Sequence, residues 1–112
     1  REGTVYPPLH KAAERMIGLA RDVVDADGLT RRALNQAARE LLLAQSSDWA
    51  FIMKTNTMVE YARKRTRDHL VNLSNLYSML MNGKVDEAFL HSLEERNNIF
   101  PHIDYRVFAG KV

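Results

Sequence analysis

The stretch LLLAQSSDWAFIMKTNTMVEY, Leu41 to Tyr61, decides how the chain is read. A run of helix formers stops at Ser46-Ser47-Asp48, three side chains that compete with the backbone for hydrogen bonds and favour helix ends. The sole tryptophan, Trp49, follows at once. Thr57-Met-Val-Glu60 then places a carboxylate three residues after a hydroxyl, the capping box that opens a helix. The spacing predicts a helix–turn–helix corner. One helix runs over about 30–45, a short helical turn sits around 48–54, and the longest helix covers about 57–82 with Gly83 as its stop.

Outward from that corner the chain reads as a series of helices between two extended ends. Residues 1–8 form an extended lead-in, because Pro7-Pro8 disfavours helix before it and suits a helix start. Apolar positions from Leu9 to Val24 recur at helical spacing, and Asp27-Gly28 ends that helix at about residue 26. In the second helix Leu34, Ala37, Ala38, Leu41 and Gln45 share the inner face, while Arg32, Gln36, Arg39 and Leu43 lie opposite. A wet Leu43 and a dry Gln45 are both explained if this helix end abuts another domain or a ligand. Val59, Ala62, Thr66, Leu70, Leu73, Tyr77 and Leu80 make the inner stripe of the long helix. Glu60, Lys64, Arg67, Asn75 and Ser78 face water. A last helix over about 86–96, N-capped by Asp86, turns Ala88, Phe89 and Leu93 inward. The remainder, 97–112, is expected to turn extended at Pro101 and pack on the bundle. No segment reads as a strand, so the fold class is all-α: an antiparallel bundle of four to five helices over 9–96.

The totals suit one soluble domain. The chain has 112 residues, 46% apolar and 27% charged, enough for a single core. Zero cysteines exclude disulfides and thiolate metal sites, and fit a cytoplasmic or a thermophilic origin alike. No apolar run approaches a membrane span, and no signal peptide opens the chain, so no membrane partner is expected. An opening Arg1 in place of methionine suggests a piece of a longer protein. A formal charge of +2 does not by itself predict nucleic-acid binding.

Two constellations carry chemistry. Gln45-Ser46-Ser47-Asp48-Trp49 has a purely structural reading, in which Ser47 or Asp48 caps a helix and Trp49 plugs the core. It also matches what a sugar needs: carboxylate and amide for vicinal hydroxyls, and an indole face for the apolar side of a pyranose. Composition does not choose between the two. Arg63-Lys64-Arg65 and Arg67, with Lys54, Arg31 and Arg32, form a basic cluster. It is either a solvated or interdomain face, or a module that binds an acidic partner or nucleic acid. His91 and Glu95 lie one helical turn apart, far short of a metal site, and no metal or cofactor is expected. His10, His69 and His102 add no ligand set, and no nucleophile elbow or phosphate loop is present. The five methionines read as packing.

LNQAARELLLAQSSDWAFIM (34–53), TMVEYARKRTRDHL (57–70) and LEERNNIFPHIDYRVF (93–108) together resemble the C-terminal helical domain of glycoside hydrolase family 57 enzymes, specifically the 1,4-α-glucan branching enzymes. The resemblance implies a (β/α) barrel elsewhere, carrying a glutamate nucleophile and an aspartate acid/base that cut an α-1,4 glucan and rejoin it as an α-1,6 branch in glycogen biosynthesis. That mechanism needs two carboxylates about 5–5.5 Å apart. Both acids belong to the barrel, so this domain alone is expected to be inactive. Its implied partners are the barrel and the α-glucan, whose cleft it completes. The family pattern puts Ser47, Asp48 and Trp49 at that cleft, with Gln45 and Ser46 beside them. Ala50 stands where relatives often have proline, and Asn56 where they often have glycine.

Overall fold

The computed structural model describes residues 6–26, 28–52 and 59–109. Four α-helices follow in order: α1 (Leu9–Asp22), α2 (Gly28–Ile52), α3 (Val59–Asn82) and α4 (Glu87–Arg96), with a closing 3-10 helix at Tyr105–Ala109. No strand occurs among the described residues, and the all-α expectation holds. Thr57 and the proposed capping box start lie outside the described residues, as does the end of the short helical turn.

The predicted corner is corrected. Residues 28–52 form one uninterrupted helix, and Ser46, Ser47, Asp48 and Trp49 lie within it. Weak helix formers such as these cost at most about 0.7 kcal/mol each against alanine. Breaking the helix there would leave four carbonyls and four amides without intrahelical partners. No proline or second glycine follows Gly28 in this segment to force the break. The three polar residues therefore ride inside the helix.

α2 is the central element: α1, α3, α4 and the 3-10 helix all pack against it. Ala33, Leu34, Ala37, Ala38, Leu41 and Ala44 are buried, and the small alanines let neighbours approach closely. Being flanked on several sides, α2 also buries Gln36 and Glu40. Gln36 was expected in water and Gln45 in the core; the structure reverses both, with Gln45 exposed and Leu43 half-buried.

α1 buries Ala12, Met16, Leu19 and Ala20 and ends at Asp22, short of residue 26. α3 buries Ala62, His69, Leu70, Leu73 and Leu76, with Thr66, Tyr77 and Leu80 half-buried. Gly83 ends it in the left-handed region, φ 71°. The amide of Gly83 donates to Leu80 O at 3.2 Å and that of Lys84 to Met79 O at 3.0 Å, a Schellman stop. Asp86 caps α4 by accepting from the Phe89 amide at 3.2 Å. Leu90 and Leu93 face inward there; Ala88, expected inside, is exposed.

The tail is not extended to its end. The Phe100 carbonyl accepts from the Ile103 amide at 3.0 Å, closing a turn around Pro101, and the 3-10 helix follows. Tyr105, fully buried, closes the α1–α2 loop: its hydroxyl donates to Val23 O and accepts from the Ala26 amide. Its own amide donates to Asn35 Oδ1 at 2.9 Å. These bonds explain why residues 23–26 hold their place without regular structure.

Candidate functional site

With about 100° between successive residues of a helix, Leu42, Gln45, Ser46 and Trp49 fall on one strip of α2. That strip and Phe100 line an open cavity of about 430 Å³. Trp49 is 64% exposed, so its ring is not a core plug. Of the five residues expected at the site, the structure brings together Gln45, Ser46 and Trp49. Ser47 and Asp48 are half-buried and do not line the cavity. In an unbroken helix they project to other sides of the axis. A second, largely apolar cavity of about 570 Å³ adjoins, lined by Leu42, Phe100, Pro101, Ile103 and Val107 among others. Leu42 and Phe100 belong to both.

Phe100 has a positive φ, 51°. The left-handed region costs a bulky residue roughly 1–2 kcal/mol, so the surroundings must enforce it. Arg39 does so. Its Nε donates to Ile99 O at 2.9 Å and Phe100 O at 3.4 Å, and its second terminal nitrogen reaches Pro101 O at 3.2 Å. One guanidinium thus spans three consecutive carbonyls. Burial lowers the Arg39 pKa from the usual guanidinium value, against the raising effect of Glu94 and Glu40.

Arg39 is anchored in turn. Its remaining nitrogen donates to Gln36 Oε1 at 2.9 Å, and Gln36 Nε2 donates to Glu40 at 2.9 Å. Glu40 is fully buried and sits at the centre of a polar hub. His69 Nδ1 lies 2.7 Å from one oxygen, where Asn72 also donates at 3.2 Å; Asn97 donates to the other at 2.9 Å. Four partners fill the roughly four lone-pair sites of a carboxylate, so both buried oxygens of Glu40 are satisfied. His69 Nε2 is buried with no hydrogen-bond partner.

This hub was not anticipated in the sequence, yet a signal exists. Ala33, Ala37, Glu40 and Ala44 recur at alternating steps of four and three, as do Ala62, Thr66, His69, Leu73 and Leu76. The first series places Glu40 at a core position and the second places His69 there, with the half-buried Thr66 one turn before it.

The basic cluster is locally compensated. Lys64 pairs with Asp68 at 2.8 Å, Arg63 with Glu60 at 3.9 Å and Arg67 with Asp68 at 3.8 Å, while Arg65 lies over the Tyr61 ring. Arg32 reaches Glu94 at 2.7 Å and Glu87 at 3.1 Å, and its hydrogen bond to Glu94 is the main cause of its raised pKa. Arg31 pairs with Asp104 at 3.4 Å. Lys54 lies outside the described residues. His91 and Glu95 are 3.3 Å apart on the surface. Among the described residues no group of three histidine, aspartate or glutamate side chains could hold a metal. None of the helices among them is long and apolar enough to cross a membrane.

Residues 8–108 match the profile of the 1,4-alpha-glucan branching enzyme C-terminal family. The chain belongs to that family. A 1,4-alpha-glucan branching enzyme of Thermococcus kodakarensis is 35% identical over 99 residues, 85% of this chain and 15% of the relative. The alpha-amylase AmyC of Thermotoga maritima superposes with a TM-score of 0.83 at 48% identity, over 93% of this chain and 20% of that one. A family 57 branching enzyme of Pyrococcus horikoshii gives 0.74 at 38% identity, again over 93% and 20%. The chain thus spans a fifth or less of the length of these relatives. As a C-terminal domain of the family 57 branching-enzyme type, it matches the expectation drawn from its sequence, and the acidic-partner module is not the reading these relatives support.

Proposed function

We propose that this chain is the part of an α-1,4 to α-1,6 glucanotransferase that lines the glucan cleft, working with a catalytic barrel in glycogen biosynthesis in the cytoplasm. The observation that carries it is Trp49: a large aromatic ring, 64% exposed, in a cavity with the amide of Gln45 and the hydroxyl of Ser46. Leaving an indole in water is unfavourable unless a partner covers it. Stacking on the apolar face of a glucosyl unit would do so, and the two polar neighbours supply donors and acceptors for its hydroxyls. Asp48 and Ser47, half-buried beside the strip, serve the neighbouring hydroxyls or the barrel face of the cleft. These are positioning roles, which lower a barrier by placing the donor and acceptor chains. The acid pair that cuts and rejoins the chain belongs to the barrel, so the domain by itself binds glucan weakly and cleaves nothing.

The names of the relatives point the same way: a 1,4-alpha-glucan branching enzyme, an alpha-amylase and a family 57 branching enzyme. Binding of a polyanion is disfavoured by the pairing of Lys64, Arg63 and Arg67 with neighbouring carboxylates.

Titration of the chain with maltohexaose tests the reading, followed by amide NMR shifts and by the fluorescence of its only tryptophan. Shifts centred on residues 42–49, with a change in indole emission that Trp49→Ala abolishes, are the expected result. Unchanged spectra at millimolar sugar, or shifts confined to the α1–α3 side, would overturn it.

A further inference from the structure

Phe100 carries three observations that the role of Trp49 does not use. Its ring is 51% exposed and lines the same cavity as Trp49. Its backbone is held at φ 51°, a conformation that a bulky residue adopts only under constraint. The constraint is specific, because Arg39 takes the carbonyls of residues 99, 100 and 101, and is itself tied through Gln36 to the buried Glu40 hub. Relaxing the loop would relieve the backbone and let the ring fold onto apolar surface. The fold instead commits a half-buried guanidinium to keep the ring out.

We propose that Phe100 is a second sugar-contacting residue, a platform for a further glucosyl unit of the same α-glucan chain, and that Arg39 is the positioning residue that presents it. The proposal rests on the glucan-cleft reading given above. One aromatic face binds one sugar ring; two faces in one groove, with Gln45 and Ser46 lining it beside them, engage a chain. The adjoining cavity past Phe100, lined by Leu42, Ile103 and Val107, continues the groove beyond the second platform. The expected consequence is selectivity for chain length: a short sugar is satisfied by Trp49 alone, and a longer one gains from Phe100. Monosaccharides and disaccharides lie below that threshold, while linear α-1,4 oligosaccharides lie above it.

The test compares maltose with maltohexaose on the whole chain by NMR titration, for the unaltered protein, Phe100→Gly, Phe100→Tyr, Arg39→Lys and Trp49→Ala. Glycine accepts the positive φ without strain, so Phe100→Gly should fold while lacking the ring. Its maltohexaose affinity should fall roughly three- to tenfold, the range of an aromatic contact, with maltose affinity nearly unchanged. Phe100→Tyr should restore the preference for the longer sugar. Arg39→Lys keeps the charge and loses the fork, so it should reproduce the effect of Phe100→Gly. If Phe100→Gly binds maltohexaose as the unaltered protein does while Trp49→Ala does not, the Phe100 proposal fails and the cleft reading survives. Equal losses for both sugars would reduce Phe100 to a wall of the Trp49 site and also overturn it. No binding of either sugar by the unaltered chain would remove both readings together. Should Phe100→Gly fail to fold, Phe100→Leu decides the same question, with retained maltohexaose preference as the refuting result.

Discussion

Replacing Glu40 with alanine tests the polar hub at its centre. Glu40 is fully buried and His69 is 3% exposed, so neither is rescued by bulk water. His69 Nδ1, Asn72 Nδ2 and Asn97 Nδ2 would each lose the Glu40 oxygen that accepts from them. Gln36 Nε2 would keep the carbonyls of Leu93 at 3.3 Å and Asn97 at 3.1 Å. A buried donor left without a partner costs about 1–3 kcal/mol, and three donors lose theirs here. Water entering the vacated space should hold the total toward the lower figure. We expect a loss of about 3–4 kcal/mol, against a total near 5–15 kcal/mol for a domain of this kind. Urea unfolding followed by helical circular dichroism reads it directly, as a lowered midpoint with an unchanged slope. A cycle with His69→Ala should give a coupling of about 1–3 kcal/mol between two residues in contact. A loss below about 1 kcal/mol for Glu40→Ala, or no coupling to His69, would refute the view that the hub is a mutually supporting hydrogen-bonded cluster.

Two further perturbations probe the tail that closes the bundle. Arg106 holds the Asp104 pKa down to about 2 from 3.8, chiefly through its side-chain hydrogen bond, with the Arg106 amide and the charge of Arg31 adding to it. A depressed carboxylate stabilises the fold above its unfolded value and loses that contribution as pH falls through the folded one. Thermal unfolding from pH 5 to pH 2 should show this loss mainly below pH 4, and Asp104→Asn should flatten that segment of the profile; an unchanged slope would contradict it. Tyr105→Phe removes the hydroxyl that bonds Val23 O and the Ala26 amide. Leaving a buried amide unpaired should cost about 1–3 kcal/mol. Faster hydrogen exchange at Ala26 than in α2 should accompany that cost, and equal protection would count against this closure.

Most of the helical framework was legible because its signals are local. Gly83 and Asp86 stop and start helices through their own backbone and side-chain chemistry, and both act where the sequence places them. Ser46-Ser47-Asp48 misled because a local preference worth a few tenths of a kcal/mol per residue was read without the cost of breaking a helix. That break joins Asp48 to Trp49 in one corner, while the inward placement of Gln45 comes separately, from its helical spacing after Leu34 and Leu41. A single inner face for α2 puts Gln36 in water, whereas it is fully buried. A central helix covered by α1, α3 and α4 has no single wet side. Glu40, His69, Asn72 and Asn97 come from three separate segments, and only packing reveals that they meet. Phe100 was hidden for a different reason: its backbone conformation is set by Arg39, sixty-one positions away in sequence.

The continuity of α2 alters how a binding site can be built here. On a hinge after Ser46, Trp49 would move independently of the bundle, and each binding event would have to order it. On an unbroken helix it lies ten residues beyond Arg39, roughly 15 Å along the axis, at a fixed rotation. Arg39 sets the 99–101 loop, so one rigid element controls both exposed rings. Side chains carried on helices keep their geometry more closely than those on loops. The buried hub serves the same end: α3 through His69 and Asn72, and the end of α4 through Asn97, are tied to α2 beside the residues that grip the loop. Apolar packing would hold these helices together with less penalty for a lost partner. A carboxylate with four directed bonds restricts them to one register, which is what a pair of aromatic platforms at a set spacing requires.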